Sequence, residues 1–223
     1  NYPGFPEGIM GPDLMDKFRK QAQRFGAETF NLHVDRVNFD VQPFKVYCGD
    51  KEYLSKTIII STGATAKLLG LESESKLMGY GVSACATCDG FFFKDKKVLV
   101  VGGGDSAMEE ATFLTKFASS VTIVHRRDSL RASKVMQDRA INNPKIDFIW
   151  NSEVIDLKGE PDKNGLETVV LKDIQKKETY EVDCDGLFLG IGHTPNSQMF
   201  PNKLLLDERG YILTEKKSTK TSI

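Results

Sequence analysis

The sequence predicts an α/β fold built around a parallel sheet, for three reasons. Two short and mainly apolar runs, KVLVV at 97–101 and VTIVH at 121–125, flank a helical pattern over 105–117. A strand, a helix and a strand in this order form a βαβ unit, whose strands are parallel. Three consecutive glycines at 102–104 occupy the first strand-to-helix junction, where the backbone must turn sharply.

The composition is that of a globular protein that binds a small polar ligand. Its 223 residues include 30 basic and 31 acidic side chains, so the chain lacks the positive charge expected of a nucleic-acid or acidic-lipid binder. No apolar run approaches the roughly 20 residues that span a bilayer. Two of the four cysteines form one Cys-x-x-Cys motif, which indicates a reducing compartment and a specialised thiol pair.

The first quarter of the chain predicts a helix followed by a small antiparallel sheet. Apolar residues recur at helical spacing over 13–25, between Pro12 and Gly26. They are Leu14, Phe18, Ala22 and Phe25. Strand patterns follow at 32–40, 44–48 and 52–61, and we expect the apolar end of the last one, TIIIS, to be buried.

The second half predicts an extension of the parallel sheet and an antiparallel ribbon. A helix over 131–142 and a strand over 146–150 continue the βαβ pattern. Three ribbon strands with polar turns come next, and an apolar strand follows them. These segments are 154–160, 166–173, 177–183 and 186–192.

The glycine loop has the spacing of a dinucleotide-binding motif. Gly102, Gly104 and Ala107 fill the small-residue positions of G-x-G-x-x-A. Glycines there let the backbone approach a pyrophosphate, which binds at the positive N-terminus of the helix. The motif alone is weak, because three glycines could simply join a strand to a helix.

The residues after the second apolar strand indicate which nucleotide is bound. NAD-binding proteins carry an acidic residue there for the ribose 2′-hydroxyl, whereas this chain has His125, Arg126 and Arg127. Guanidinium groups pair with a 2′-phosphate, and each charge-assisted hydrogen bond contributes about 1.5–3 kcal/mol. Arg131 could add a third arginine contact. NADPH is therefore the predicted cofactor, and a solvated basic face is the alternative.

The thiol pair, Cys85 and Cys88, precedes the glycine loop. A structural zinc site would need two more Cys or His at short spacing, and nothing else indicates a thioredoxin-like fold. Cys48 and Cys184 are isolated, and we expect both to be small buried apolar residues. The remaining interpretation of the Cys85–Cys88 pair is redox chemistry driven by a nicotinamide. A flavin is the expected relay, because nicotinamide does not normally reduce a disulfide directly.

Several segments resemble the low-molecular-weight NADPH-dependent thioredoxin reductases. The motifs are ACATCDG, VVGGGDSAMEEA, HRRDSLRAS and GIGHTPNS, in this order. Residues 1–27 and 58–71 are similar to the flavin domain of the same family, so the resemblance covers nearly the whole chain. It implies a homodimeric cytoplasmic flavoprotein with thioredoxin as its partner, although a mitochondrial or plastid location is also open.

The resemblance also implies a domain organisation and a set of site residues. A Rossmann-like NADPH-binding domain, 69–196, would be inserted in part of an FAD-binding domain, 1–68 and 197–223, of the pyridine nucleotide-disulfide oxidoreductase type. Cys85 would attack the thioredoxin disulfide, Cys88 would face the FAD and Asp89 would transfer a proton. The cofactor-binding positions would be Gly102, Gly103, Gly104, Asp105, Ser106, His125, Arg126, Arg127, Arg131, Ile191, Gly192, Thr62, Gly63 and Ala64.

Two features of that family are absent from the sequence. One is a separate GxGxxG turn for the FAD pyrophosphate at the start, and the other is a GD-containing flavin contact and helix at the end. We therefore expect a fragment that binds NADPH and holds FAD weakly. The family mechanism requires the inserted domain to rotate, and we expect hinges near 67–73 and 193–197.

Two alternative functions stay open on the sequence alone. The flavoprotein component of a peroxide-reducing system has a similar fold with a CxxC motif, but favours NADH. A non-catalytic module could instead bind NADPH and use its thiols only to sense oxidation.

Overall fold

The computed structural model describes residues 2–200 and 203–223, which divide into two compact units. Unit 1 comprises Asn1–Ser61, Ser197–Asp207 and Ile212–Ile223, and unit 2 comprises Thr62–Asn196 and Glu208–Tyr211. Within the described ranges, no helix is both long enough and apolar enough to cross a bilayer. The assignment of the units to two different cofactors stays a prediction.

Unit 1 begins with the predicted amphipathic helix, α1, at Gly11–Arg24. Pro12 lies in its first turn, where a missing backbone N–H costs nothing, and Gly26 follows its end with φ +87°. This confirms the helix and both of its boundary signals. No residue of α1 is buried, so its apolar face is open in this chain.

Three short antiparallel strands complete the regular structure of unit 1, in the order β1-β2-β3. They are β1 Arg36–Asn38, β2 Phe44–Cys48 and β3 Lys51–Ser55, which confirms the predicted antiparallel sheet. The expectation that TIIIS would be buried is wrong, because β3 ends at Ser55 and the Ile59 side chain is 93% exposed. Cys48 is only half-buried, which also departs from expectation.

Unit 2 contains the remaining helices and strands. In chain order they are β4 Ala64–Ala66, α2 Glu72–Leu77, β5 Val82–Ser83, α3 Ala86–Asp89, β6 Lys97–Val101, α4 Asp105–Leu114, β7 Ser120–Val124, α5 Lys134–Ile141, β8 Ile146–Ile149, β9 Ser152–Glu160, β10 Gly165–Asp173, β11 Thr179–Asp183, β12 Gly186–Leu189 and β13 His193–Pro195. A 3-10 turn at Gly90–Phe93 follows α3 directly.

A five-stranded parallel sheet forms the centre of unit 2 and confirms the predicted α/β fold. Its strand order is β5-β12-β6-β7-β8, and every neighbouring pair is parallel. The chain builds outward from β6 through β7 to β8 and later returns to place β12 on the other side of β6. Ligands of doubly wound folds bind at such a switch point, outside the carboxyl ends of the strands.

Alternate residues of β6 contribute to two separate apolar clusters. Val98 and Val100 pack with buried side chains of α4, while Leu99 and Val101 pack with the antiparallel ribbon β9-β10-β11. A strand buried on both faces is apolar where it is covered, which explains the uninterrupted VLVV run after the exposed Lys97. The sheet is therefore the middle layer of unit 2.

Two predicted helices are shorter than expected. The pattern over 105–117 gives α4 only as far as Leu114, and the one over 131–142 gives α5 only from Lys134. Residues before α5 bond to the glycine loop instead, since the Arg131 and Ala132 N–H groups both donate to the Gly103 carbonyl. A tertiary contact has thus replaced the first turn of the predicted helix.

Candidate nucleotide and dithiol site

The glycine loop connects β6 to α4 at the switch point of the sheet. Gly102 has φ +149°, and a Cβ atom on it would lie 2.4 Å from the Gly190 carbonyl oxygen and 2.7 Å from the Ala107 Cβ. Only glycine fits this conformation and this contact. The predicted turn position is therefore sterically required.

The third small residue of the motif, Ala107, packs against the end of β12. A Cβ atom on Gly190 would come within 2.7 Å of the Ala107 Cα. Because both residues are small, α4 approaches the sheet closely and its N-terminus lies at the carboxyl edge of β6 and β12. This is the helix–strand packing that the third motif position provides in dinucleotide-binding loops.

The N-terminus of α4 is open to a ligand. Gly104 is its N-cap and no side chain caps the helix. A Cβ atom on Gly104 would meet nothing within 4 Å. Free N–H groups and the helix dipole make such an end a binding site for an anion, so the loop fits a dinucleotide pyrophosphate.

His125 lies beneath the loop. A Cβ atom on Gly103 would be 2.2 Å from the His125 Cε1, and the imidazole Nε2 is 3.1 Å from the Ser129 carbonyl oxygen. Burial, more than the neighbouring arginines, lowers the pKa of His125. The side chain is 5% exposed and supports the loop, so it does not face solvent as a phosphate-binding residue would.

The three predicted arginines lie beside the same loop. Arg126, Arg127 and Arg131 are exposed, and among the described residues none of them forms an ion pair. Each is positively charged and close enough to depress the pKa of His125. Three unpaired guanidinium groups next to an open helix N-terminus form an electropositive surface for phosphate.

Asp105 and Ser106 begin α4. The Asp105 Oδ1 accepts hydrogen bonds from the Ser133 backbone N–H at 2.7 Å and from its hydroxyl at 2.9 Å. The Asp105 carboxylate is thus hydrogen-bonded to the segment before α5. The Ser106 side chain is half-buried. Ser133 belongs to the predicted helix over 131–142 in the sequence, and only the tertiary structure makes it a partner of Asp105.

Cys85 and Cys88 form a disulfide across α3. Cys85 is the N-cap of α3, and its carbonyl accepts from the backbone N–H groups of Cys88 and Asp89 at 3.2 and 3.1 Å. Cys85 is half-buried and Cys88 is exposed. Among the described residues, no group of three or more His, Cys, Asp and Glu is placed to hold a metal ion.

Ser83, a buried residue of β5, connects the disulfide turn to Asp89. Its hydroxyl accepts from the Cys85 N–H at 3.0 Å and donates to the Asp89 Oδ2 at 2.6 Å. The carboxylate is therefore held within the turn that carries the disulfide. Ser83 carries no functional motif in the sequence, although its position two residues before Cys85 is the usual one for a local serine–backbone bond.

The dithiol turn and the nucleotide helix are packed together. Gly90 follows α3, and a Cβ atom there would be 3.1 Å from the Leu114 side chain and 3.5 Å from the rings of Phe113 and Phe117. Ala86 of α3 and Ala107 of α4 are members of one buried cluster. The structure thus brings the two predicted chemical elements onto one helix, α4.

A second set of predicted residues lies on the ribbon of β4 and β13. Asn196 joins the two strands: its side-chain N–H donates to the Thr62 carbonyl at 3.0 Å, and its carbonyl accepts from the Thr62 hydroxyl at 2.6 Å. Thr62, Gly63 and Ala64 are exposed, and the space beside Gly63 is open. Their backbone is accessible to a cofactor, and the structure adds Asn196 to this set.

Ile191 and Gly192 continue from β12 toward that ribbon. Ile191 packs on the second apolar cluster, and Gly192 has φ +95° with open space around its Cα. The Gly192 carbonyl accepts from the Lys67 N–H at 2.9 Å. Both residues are half-buried and lie beyond the carboxyl end of β12, on the same sheet edge as the glycine loop.

Comparison with known proteins places these features in a family context. Residues 3–223 match the family model described as pyridine nucleotide-disulphide oxidoreductase. A thioredoxin reductase of Streptomyces clavuligerus is 52% identical over 225 residues, covering 100% of this chain and 69% of that protein. A solved thioredoxin reductase from Streptococcus pyogenes is 40% identical with TM-score 0.81, and one from Giardia duodenalis is 37% identical with TM-score 0.84; each match covers 100% of this chain and 72% of the other.

Proposed function

The chain belongs to the pyridine nucleotide-disulphide oxidoreductase family, and we propose that it is a thioredoxin reductase that uses NADPH, FAD and the Cys85–Cys88 couple. It is an oxidoreductase that depends on flavin and nicotinamide. The observation that carries the proposal is the packing of a disulfide turn on α4, whose N-terminus follows the glycine loop.

We assign the nucleotide to the N-terminus of α4. The N–H groups of 103–106 would hold the diphosphate, with Gly102 keeping the turn tight enough for a close approach. Arg126, Arg127 and Arg131 would pair with the 2′-phosphate, while His125 holds the loop from below. Ile191 and Gly192 would line the same crevice at the end of β12.

We assign the exposed turn at Thr62, Gly63 and Ala64 to the flavin. The open space beside Gly63 fits backbone contact with a ring system, and Asn196 holds the turn in place. A bound flavin supplies the two-electron relay between nicotinamide and disulfide.

The dithiol carries the electrons to the protein substrate. The Cys85 thiolate attacks one sulfur of the thioredoxin disulfide, which forms a mixed disulfide and releases a thiolate that takes up a proton. The Cys88 thiolate then attacks the Cys85 sulfur, restores the internal disulfide and releases the second thioredoxin thiol. Asp89, held by Ser83, would move the proton at Cys88.

Thiol titration under denaturing conditions tests the proposal in the native protein that carries this chain. The oxidised chain has two free cysteines, Cys48 and Cys184, besides the disulfide pair. With FAD present, NADPH should raise the number of titratable thiols by two, as the Cys85–Cys88 disulfide opens, and oxidised thioredoxin should lower it by two again. A flavin absorption band should bleach and recover in parallel.

Three comparisons sharpen this test. Cys85→Ser and Cys88→Ser should each abolish thioredoxin reduction while leaving NADP⁺ affinity within about twofold, because neither sulfur lies in the assigned nucleotide site. Equal turnover with NADH and NADPH would favour the peroxide-system alternative. A thiol count that NADPH does not raise would contradict the proposed electron path altogether.

A further inference from the structure

The segment that carries Arg131 is attached to the glycine loop by four hydrogen bonds, which we call the loop contact. The Gly103 carbonyl accepts from the N–H groups of Arg131 at 2.7 Å and Ala132 at 3.1 Å. The Asp105 Oδ1 accepts from the N–H of Ser133 at 2.7 Å and from its hydroxyl at 2.9 Å. Three consecutive residues are thus fixed against the turn that would bind the diphosphate.

Asp105 is the one side-chain acceptor of the loop contact. The two bonds to Gly103 use backbone atoms alone, so they are available to almost any sequence. The two bonds to Asp105 need an acceptor oxygen at that position. Charged acceptors make stronger hydrogen bonds than neutral ones, so this half of the contact depends most on residue type.

The Ser133 hydroxyl is directed at Asp105 rather than at its own helix. Ser133 is the N-cap of α5, where a serine side chain ordinarily accepts from the first turn. No side-chain capping bond is made there. The bond to Asp105 therefore replaces a stabilising interaction within α5.

The carboxylate of Asp105 is unsuited to direct contact with phosphate. It lies in the first turn of α4, at the helix end where the anionic diphosphate would bind, and like charges repel. Its Oδ1 accepts from Ser133 instead, which leaves the backbone N–H groups of the turn for the ligand.

We propose that Asp105 is a positioning residue for nucleotide specificity. By holding Ser133 through two hydrogen bonds, it keeps Arg131, two residues earlier, beside the glycine loop where the guanidinium meets the 2′-phosphate. This inference rests on the proposed NADPH function and deepens it. The Asp105 side chain acts through Arg131 and does not touch the nucleotide, which Asp105 would contact only through its backbone N–H.

The sign of the effect distinguishes positioning from simple electrostatics. Removal of a negative charge near an anionic ligand should tighten binding of every nucleotide, and most of all the one with the extra phosphate. Loss of the loop contact should instead weaken NADP⁺ and leave NAD⁺ nearly unchanged, because NAD⁺ lacks the 2′-phosphate that Arg131 would contact. The two mechanisms therefore predict opposite changes.

The test is isothermal titration of NADP⁺ and NAD⁺ into the native protein and its variants. Asp105→Ala should weaken NADP⁺ about tenfold, the worth of one charge-assisted hydrogen bond, with NAD⁺ within about twofold of wild type. Asp105→Asn keeps an acceptor oxygen and should stay within about threefold for both nucleotides. Asp138→Ala removes an exposed carboxylate of α5 and is the charge-matched control.

The outcomes separate this inference from the function on which it rests. A wild type that binds NADP⁺ and NAD⁺ equally would overturn the NADPH assignment, and the inference with it. A wild type that prefers NADP⁺, with an Asp105→Ala variant that keeps or increases this preference, would overturn the positioning role alone. The same holds if Asp105→Asn is as impaired as Asp105→Ala.

Discussion

Adjacent glycines of the nucleotide loop differ in what a methyl group would meet. At Gly103 a Cβ atom would be 2.2–2.5 Å from three atoms of the His125 ring, whereas at Gly104 it would meet nothing within 4 Å. The His125 ring is itself held by Ser129 and by burial, so it cannot move aside cheaply. Gly103 is therefore needed for packing, and Gly104 is free of that constraint.

Gly103→Ala should lower the free energy of unfolding by about 1–3 kcal/mol, the usual cost of overpacking. Gly104→Ala should change it by no more than about 0.5 kcal/mol, as for a substitution into open space. Urea denaturation of both variants measures the difference. Equal losses at the two positions would show that His125 does not support the loop as described.

At this scale the sequence predicts side chains whose chemistry is unusual, and misses those whose role depends on the fold. The Cys-x-x-Cys pair and the arginines stand out because of their types and spacing. His125 is assigned to the nucleotide as part of the HRR motif, but burial beneath Gly103 turns its ring away from solvent. Ser83 and Ser133 are ordinary serines in the sequence, and only tertiary packing gives them carboxylate partners.

Helix α4 contains a carboxyl group that is poorly solvated. Glu110 is half-buried, and its Oε2 has no hydrogen-bond partner among the residues that the structure describes. Burial, with a smaller contribution from the adjacent Glu109, raises the pKa of Glu110 from its ordinary 4.5 to about 7. The folded protein therefore holds a proton here that the unfolded chain releases near pH 4.5.

Glu110→Gln should stabilise the protein at high pH. A raised pKa gives stability that is complete below pH 4.5 and is lost as the pH rises through 7. The variant lacks this loss, so relative to wild type it should gain about 1 kcal/mol between pH 5 and pH 8, after allowance for solvent screening. Denaturant titrations at the two pH values, with exposed Asp138→Asn as control, would refute this if the gain were independent of pH.

The elements that the sequence predicts well are those with mainly apolar strands or unbroken helical spacing. β6, β7 and β12 are recognised because strands that are buried on both faces are mainly apolar along their length. The loop expected to act as a hinge near 67–73 is more constrained than its composition indicates. Buried Glu74 accepts hydrogen bonds from the N–H groups of Leu69 and Gly70, at 2.8 and 2.9 Å.

The two units differ in how much apolar surface they bury. Both buried apolar clusters lie in unit 2, on the two faces of its parallel sheet. In unit 1 the buried apolar side chains of the described residues are Val37 and Leu204. Resistance to local opening depends on buried contacts, so the stability of the chain is concentrated in unit 2.

Hydrogen exchange should reveal this difference directly. Amides of β6 and β7 should exchange at least about 100-fold more slowly than those of β2 and β3, because the latter open without disrupting a core. Mass spectrometry of peptic fragments resolves these segments. Similar protection in the two sheets would contradict the picture of one stable unit.

At the scale of the whole molecule, the sequence predicts part of the strand order. The βαβ pattern predicts parallel neighbours β6, β7 and β8, since each crossover is short. The insertion of β12 between β5 and β6 depends on a long-range pairing of Leu187 with both Val82 and Leu99, which local patterns do not encode. That insertion creates the reversal of strand order at which the candidate nucleotide site lies.

The pairing of β4 with β13 brings the first and last residues of a long stretch together, since Ala64 faces Pro195 and Thr62 bonds to Asn196. A segment whose two ends lie close together can be inserted into a surface turn of another protein without distorting the backbone of either protein. Residues 62–196 thus have the geometry of a segment that can be inserted into another protein. Such an insertion would carry both the glycine loop and the Cys85–Cys88 pair.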